Sequence, residues 1–141
     1  MKLVSYILII CFLLIGLTFV SKATAEPWIV ATINSYHFDR EKGYEENNWG
    51  VGVEENVTDT IKAHVGVYRN SFARHSAYVL GSYSPIKYGR WSVGLAIGPA
   101  TGYIHSVDVI GGGVVMKEWK HVGFNILIHP AAIALQVKGR F

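Results

Sequence analysis

The chain has 141 residues, of which half are hydrophobic and 16% charged, and its formal net charge is +3. A chain of this length accommodates one domain of ordinary size. Two of the basic residues belong to an apolar N-terminal segment, and the remaining net charge of about +1 gives no support for binding to nucleic acid.

Residues 1–25 have the features of a secretory signal. Lys2 supplies a positive charge, residues 3–20 are almost continuously apolar, and Ala23-Thr24-Ala25 has the form of a cleavage site. We therefore expect a cleaved signal peptide at 1–25 and a mature domain at 26–141. A retained transmembrane helix is the alternative, because this apolar run is near the lower limit for spanning a bilayer. The single cysteine, Cys11, lies in the leader, so the mature domain has no disulfide.

The mature domain shows period-2 alternation of apolar and polar residues and no long helical stripe. The pattern predicts eight β-strands, at 28–38, 48–55, 60–69, 76–84, 90–103, 110–117, 121–128 and 132–141. Turns are predicted near 55–59, 85–89 and 118–120. The sixth strand is the weakest of the eight, because the three consecutive glycines at 111–113 do not favour a strand.

The two faces of these strands differ in composition, and this difference distinguishes between two all-β architectures. In the fifth strand, Trp91, Val93, Leu95 and Ile97 alternate with Ser92, Gly94, Ala96 and Gly98. A soluble sandwich would bury the apolar face, whereas a membrane barrel turns it toward lipid. Small and polar residues suit the crowded interior of a small barrel. The sequence therefore predicts an eight-stranded antiparallel transmembrane β-barrel in the outer membrane of a Gram-negative bacterium.

An even number of strands places both chain ends on one side of the membrane, the periplasm. The segments expected at the outer rim are His37, 39–47, 69–75, His105 and His129-Pro130. Trp28, Trp91 and Trp119 are expected at the periplasmic rim, at the level of lipid headgroups. The terminal Phe141 resembles the signal that the outer-membrane barrel assembly machinery reads, so this machinery is an expected partner.

Two residues at the predicted outer rim could act together in catalysis. His37 ends the first strand and Ser71 follows the third, and a histidine can take the proton of a serine hydroxyl that attacks or orients an ester carbonyl. The remaining histidines have no close-spaced ligand motif, so no metal site and no cofactor are predicted. Within the barrel, Glu54, Lys62 and His64 are expected to pair, because buried charges need partners.

The segment from His37 to Gly52, HFDREKGYEENNWGVG, resembles the PagP family of outer-membrane lipid A palmitoyltransferases. In that family a histidine precedes a Tyr-x-Glu-x-x-Trp-Gly-x-Gly run, matched here by Tyr44, Glu46 and Trp49-Gly50-Val51-Gly52. An Asp-Ser pair follows on the next outer loop; Ser71 matches the serine, but Asn70 stands at the position of the aspartate. The helix that precedes the first strand in the family is also missing, because Glu26-Pro27-Trp28 leads directly into strand one.

The resemblance implies transfer of a palmitoyl chain from an outer-leaflet phospholipid to lipid A by a monomeric barrel. His37 would be the general base, Ser71 and Asn70 its catalytic partners, and Arg69, Tyr44 and Glu46 would contact substrate. Donors near Asn70 or Arg69 would stabilise the oxyanion. The acyl chain would enter the barrel, where Gly94, Ala96 and Gly98 leave room.

Two other functions are compatible with the sequence. One is a non-enzymatic small outer-membrane barrel, OmpX-like or phage-encoded, that acts through its outer loops. Its predicted loops are short for broad adhesion. The other is removal of an acyl chain from lipid A, although the His-x-Ser-Asn arrangement of such esterases is missing. Analysis of lipid A by mass spectrometry distinguishes gain, loss and no change of acyl chains.

Overall fold

The computed structural model describes residues 26–141, and the predicted signal peptide lies outside this range. The described residues form a closed antiparallel barrel in which each strand pairs with its neighbours in sequence and the eighth pairs with the first. The strands are β1 Trp28–His37, β2 Gly50–Asn56, β3 Ile61–Arg69, β4 His75–Tyr88, β5 Trp91–Thr101, β6 Val107–Glu118, β7 Val122–His129 and β8 Ala132–Gly139. The predicted eight-stranded antiparallel fold is confirmed.

The barrel has two different ends. The loop end carries the connections 38–49, 70–74, 102–106 and 130–131, and the terminal end carries the connections 57–60, 89–90 and 119–121 together with Glu26 and Phe141. A single 3₁₀ turn, Arg40–Lys42, lies in the first of these loops. Among residues 26–141, no helix is long and apolar enough to cross a membrane.

Alternation along the strands separates the interior from the outer surface as predicted. In β5, Leu95 and Ile97 are 67% and 64% exposed, whereas Ala96 between them is 3% exposed. The outward residues of β2 and β6, such as Val51 and Val109, are exposed in the same way. The outside of the barrel is therefore rich in exposed aliphatic side chains, and the polar and small residues lie inside.

Two strands are longer than predicted. β4 continues to Tyr88, because a register shift between Tyr83 and Ile86 accommodates Pro85 without ending the strand. The turn therefore lies at Gly89, whose φ of 58° favours glycine. β6 runs through the three glycines at 111–113. Pairing with β5 along this whole stretch outweighs the low strand propensity of glycine.

The wall of the barrel is not evenly paired near the loop end. The outer half of β6, residues 107–112, pairs with β5, but its ladder with β7 begins only at Gly113. The β7–β8 ladder, by contrast, extends to its last pair, His129 with Ala132, and Pro130-Ala131 forms a simple turn. The outer part of β6 thus extends beyond its ladder with β7, and the proline does not disturb the last two strands.

A second early end of pairing brings the first loop beside β1. The β1–β2 ladder covers Trp28 to Thr32 and stops at Gly50 of β2. Beyond this point the loop takes the place of β2, and the Ser35 N–H donates to the Glu46 carbonyl at 3.0 Å. A long loop is thereby held against the part of β1 nearest the loop end.

A β-bulge in β1 determines which side chains face inward. Trp28, Val30 and Thr32 are buried at alternate positions, and strict alternation would turn the odd-numbered residues outward. The register with β8 shifts between Thr32 and Asn34. Because this shift inserts one residue, Ser35 and His37 face the interior instead, and His37 is only 5% exposed.

The interior of the terminal half is filled by a buried charged cluster, which comprises Glu54, Lys62, His64, Glu118, Asn125 and Lys138. Lys138 Nζ donates to Glu54 Oε1 and to Glu118 Oε1 at 2.6 Å each. Lys62 Nζ donates to Glu118 Oε1 at 2.6 Å and lies 3.1 Å from Glu54 Oε1. His64 Nδ1 lies 3.4 Å from Glu54 Oε2, so the predicted interior pairing of Glu54, Lys62 and His64 is confirmed.

The three tryptophans of the terminal end are in different environments. Trp91 is 37% exposed and Trp119 lies beside it across Phe124. Trp28, however, is 1% exposed and lies inside the barrel, with the Arg140 guanidinium 4.4 Å from its ring centroid. The prediction that Trp28 sits at the level of lipid headgroups is therefore wrong, because its strand position faces inward.

Candidate functional site

The structure brings His37 and Ser71 together at the loop end. His37 ends β1 and Ser71 belongs to the loop between β3 and β4, and His37 Nε2 lies 2.8 Å from Ser71 Oγ. The histidine is buried and the serine half-buried. This distance is a hydrogen bond, so the imidazole can take the hydroxyl proton directly.

The other ring nitrogen of His37 faces the carboxylate of Glu46. The His37 backbone N–H donates to Glu46 Oε1 at 3.0 Å, and the same oxygen is 3.8 Å from Nδ1. Arg40 Nη1 donates to this oxygen at 2.6 Å. The bond from the His37 amide and the Arg40 guanidinium lower the pKa of the Glu46 carboxyl, so Glu46 is ionised at neutral pH.

Asn70 is next to Ser71 in the chain, but its side chain points into the loop. Its Nδ2 donates to Ser76 Oγ and to the Gly102 carbonyl, both at 2.8 Å. Its Oδ1 accepts from the backbone N–H groups of Phe72 at 2.9 Å and Arg74 at 3.1 Å. The side chain is fully buried. These four bonds give Asn70 a role in holding the loop that carries Ser71.

The predicted substrate-binding residues lie near this pair in different ways. The Tyr44 ring packs against the His37 imidazole with centroids 4.8 Å apart and contacts Phe72 at 5.8 Å. Arg69 stands at the rim, with Nη2 3.3 Å from Glu45 Oε2. The structure thus places Tyr44 and Glu46 against His37, whereas the Arg69 guanidinium is paired with an acidic neighbour.

A cavity of about 290 Å³ extends from His37 and Ser71 into the barrel. Its mouth includes Tyr44 and Phe72, and its deeper part reaches Thr32 and Gln136. The other lining residues are Ser35, Asn48, Tyr68, Tyr78, Leu80, Tyr103, Ile110, Gly111, Gly112, Leu127, Ile128, His129, Ala131, Ala132 and Ala134. Most of this lining is aliphatic, aromatic or glycine, with polar groups at the two ends.

The space inside the barrel does not come from the residues expected to provide it. Gly94 and Gly98 are not among the lining residues, and a Cβ on either would overlap the backbone of β4. They permit close packing of neighbouring strands. Gly52 and Gly66 make room for a side chain instead, because a Cβ on either would lie 2.7 Å from the Tyr78 hydroxyl.

Several residues of the site were not predicted. Asn48 is buried, donates to the carbonyls of Glu45 at 3.2 Å and Arg69 at 2.9 Å, and accepts from Ser35. The sequence predicted Asn48 as the first residue of the second strand, whereas β2 begins at Gly50, and nothing in the pattern indicated its burial. The Tyr68 and Tyr103 hydroxyls bond to each other in the cavity wall. The inward phase of β3 indicates Tyr68. Tyr103 was expected at the end of the fifth strand, whereas β5 ends at Thr101 and Tyr103 lies in the following loop.

The described part of the chain contains no group of three or more His, Cys, Asp or Glu side chains arranged to bind a metal ion. His105 pairs with Asp108, whose Oδ1 is 2.6 Å from His105 Nδ1, and His129 Nδ1 accepts from the Ala131 N–H at 3.1 Å. The structure brings His37, Ser71 and their polar neighbours together at the loop end.

No known family model matches this sequence, and no curated protein matches it at a significant level. The resemblance to the PagP family therefore depends on the residues between His37 and Ser71 alone. The arrangement of the loop end supplies the physical basis for a functional proposal.

Proposed function

We propose that this protein is an outer-membrane acyltransferase that moves a long acyl chain, palmitoyl by the family resemblance, from a phospholipid to lipid A. The observation that carries the proposal is the 2.8 Å contact of His37 Nε2 with Ser71 Oγ at the mouth of a largely apolar cavity. A nucleophile with an adjacent base is the arrangement that acyl transfer requires. An apolar cavity beneath it accommodates a hydrocarbon chain.

The proposed reaction has two half-reactions. In the first, His37 takes the Ser71 proton, Oγ bonds to the carbonyl carbon of the phospholipid ester, and the ester C–O bond breaks as His37 returns the proton to the leaving glycerol oxygen. In the second, His37 takes a proton from a lipid A hydroxyl, which attacks the acyl-serine, and Ser71 leaves with that proton. The acyl chain is transferred without net gain or loss of protons.

The surface of the barrel supports a lipid substrate. Exposed aliphatic side chains such as Val51, Leu95 and Ile97 cover the outside, as a bilayer environment requires. The outer half of β6, which has no ladder with β7, includes Ile110, Gly111 and Gly112, and these residues also line the cavity. An acyl chain in the membrane would therefore reach the cavity from the side between β6 and β7, with its ester near Ser71.

The membrane assignment extends the same proposal to location and partners. An exposed aliphatic surface together with a predicted signal peptide favours the outer membrane, with Phe141 offered to the barrel assembly machinery. Phospholipid and lipid A are then the partners of the site. A protein that acts through its outer loops is the alternative; the connections 70–74, 102–106 and 130–131 are short, and the longer loop 38–49 is bonded along β1.

The test is mass spectrometry of lipid A from Gram-negative cells with and without the protein. Cells with the wild type should gain a lipid A species heavier by one acyl chain. Cells with His37→Ala or Ser71→Ala should lack it, and Ser106→Ala, which removes an exposed hydroxyl from a neighbouring loop, should retain it. Equal barrel content in the membranes is verified by heat-modifiable migration on gels.

The three possible outcomes separate the candidate functions. No change with the wild type would refute the acyltransferase and favour a non-enzymatic barrel. Loss of an acyl chain that depends on Ser71 would replace transfer by hydrolysis, with water as the acceptor. A gain that persists in both His37→Ala and Ser71→Ala would exclude this pair as the catalytic group.

A further inference from the structure

Glu46 lies on the side of the His37 ring opposite Ser71. Its Oε1 accepts the His37 backbone N–H at 3.0 Å and is 3.8 Å from Nδ1, while Nε2 on the far side contacts Ser71 Oγ at 2.8 Å. The loop residue reaches this position because the first loop runs along β1 where β2 has ended. The three side chains therefore lie in the order carboxylate, imidazole, hydroxyl.

Because His37 Nδ1 is buried, the neighbouring Glu46 carboxylate is important. Within the described residues, Nδ1 of His37 has no hydrogen-bond partner and is shielded from solvent. If Nε2 is to receive the proton of Ser71, the proton of the neutral ring must be on Nδ1. A buried N–H without an acceptor is costly, and the cost rises when the ring becomes positively charged. Glu46 Oε1 is the carboxylate oxygen that faces it.

We propose that Glu46 is a positioning residue that holds His37 in the Nδ1-protonated form and stabilises the imidazolium produced when Ser71 is deprotonated. This assigns Glu46 to the histidine and away from direct substrate contact, and the catalytic part of the inference rests on the proposed acyl transfer. The 3.8 Å separation shortens to a hydrogen bond through a small rotation of the carboxylate, as catalytic contacts commonly tighten when substrate binds.

Arg40 competes with His37 Nδ1 for the Glu46 carboxylate. Its guanidinium holds the same oxygen, Oε1, at 2.6 Å, and it is exposed at the rim. The titratable or charged groups acting on His37 are Glu46 and Arg40 from the first loop and His129 from the end of β7, and the Tyr44 ring covers one face. Release of Arg40, for example to a lipid phosphate, would leave the carboxylate free to bond Nδ1.

The experiment compares Glu46→Gln with Glu41→Gln in folded protein in detergent micelles. Glutamine retains an oxygen that can accept the His37 amide N–H, so Glu46→Gln removes the charge and leaves the loop contact. Glu41 lies in the same loop and is exposed, so Glu41→Gln is a matched loss of one negative charge. Nitrogen-15 NMR of labelled histidine, assigned with a His37→Gln variant, reports both the tautomer and the titration of His37.

In the wild type we expect the Nδ1-protonated tautomer. Glu46→Gln should lower the measured pKa of His37 by about one unit and slow acyl transfer about 10- to 100-fold, below the 10²–10⁴-fold that a general base contributes. Glu41→Gln should change neither. Identical tautomer and titration of His37 in Glu46→Gln and the wild type would overturn the proposal.

The two proposals can fail separately. A wild type without acyl transfer, in which Glu46→Gln still shifts the His37 titration, would refute the proposed function and leave Glu46 as the residue that orients the ring. If Glu46→Gln does not fold, Arg40→Gln provides the opposite perturbation. It should raise the His37 pKa and retain the Nδ1-protonated form, and an unchanged titration there would also contradict the proposal.

Discussion

The hydrogen bonds of Asn70 indicate what this residue does at the position where the family motif has an aspartate. The PagP family has an aspartate at this position, whose charge could orient or stabilise a catalytic group. Here Nδ2 must donate to Ser76 Oγ and to the Gly102 carbonyl, and a carboxylate has no proton to donate. The asparagine is therefore matched to the loop as it is folded, and its contacts favour support of Ser71 over direct chemistry.

This residue yields a stability prediction. Asn70→Asp should lower the free energy of unfolding by about 1–3 kcal/mol, because a carboxylate would face the Gly102 carbonyl. Asn70→Ala should lower it by a similar amount, since the N–H groups of Phe72 and Arg74 lose their acceptor. The measurement is urea unfolding in detergent, followed by tryptophan fluorescence.

Asn47→Ala is the control, because this asparagine is exposed in the first loop and its bond to Glu45 Oε1 comes from the backbone N–H, which alanine retains. It should stay within about 0.5 kcal/mol of the wild type. If Asn70→Asp were as stable as the wild type and more active, Asn70 would be a substitute for a catalytic aspartate and not a support of the loop.

Among the elements, β1 is the strand for which alternation alone gives the wrong orientation. Its pattern identifies a strand and its end at His37, but Trp28 and His37 cannot both face inward under strict alternation. The bulge between Thr32 and Asn34 resolves this. A single inserted residue has no sequence signal beyond the disagreement itself, so the strand is predictable and its inward histidine is not.

The glycines of β5 lead to a prediction about the stability of the barrel. Gly94→Ala would force a Cβ into the Tyr83 carbonyl and the Ser84 Cα of β4, both backbone atoms that cannot move aside independently. We expect it to lower the free energy of unfolding by about 1–3 kcal/mol through overpacking. Urea unfolding of the refolded barrel measures the change.

Gly81→Ala is the matched control, since nothing lies within 4 Å of a Cβ at that position in the adjacent strand. It should be neutral or slightly stabilising, because alanine restricts the unfolded chain. Equal destabilisation by the two substitutions would mean that glycine is needed in these strands for a reason other than close approach of β4 and β5.

For the molecule as a whole, the sequence predicted the architecture well because the alternation repeats in every strand. Glu54, Lys62 and His64 could be assigned to the interior from their phase alone. Their partners Glu118 and Lys138 come from strands far away in sequence, and pairing across a closed barrel depends on shear, which a one-dimensional pattern does not contain. The sequence predicted that His37 and Ser71 lie at the same rim, but it did not predict the 2.8 Å distance between His37 Nε2 and Ser71 Oγ.

The buried charged cluster divides the interior into two halves with different properties. Glu54 is fully buried and contacts Lys138, Lys62 and Asn125, so its charge is compensated by neighbouring side chains. The cluster fills the terminal half, and the cavity occupies the loop half. A chain that enters beside Ser71 would therefore meet polar side chains at the bottom, which limits how far an apolar group can penetrate.

The cluster leads to a prediction about the stability of the entire barrel. Lys138→Met removes the fully buried ammonium that bridges Glu54 and Glu118. Because the carboxylates are then left with one fewer counter-charge, the free energy of unfolding should fall by about 3–5 kcal/mol. Adding Glu54→Gln should recover part of this loss, since the double variant restores the charge balance.

The control is Lys120→Met, which removes an exposed lysine at the same end. It should change the free energy of unfolding by less than about 0.5 kcal/mol. Urea unfolding in detergent of the wild type, Lys138→Met, Glu54→Gln and the double variant gives the coupling energy between Lys138 and Glu54, and strictly additive effects would contradict a shared network.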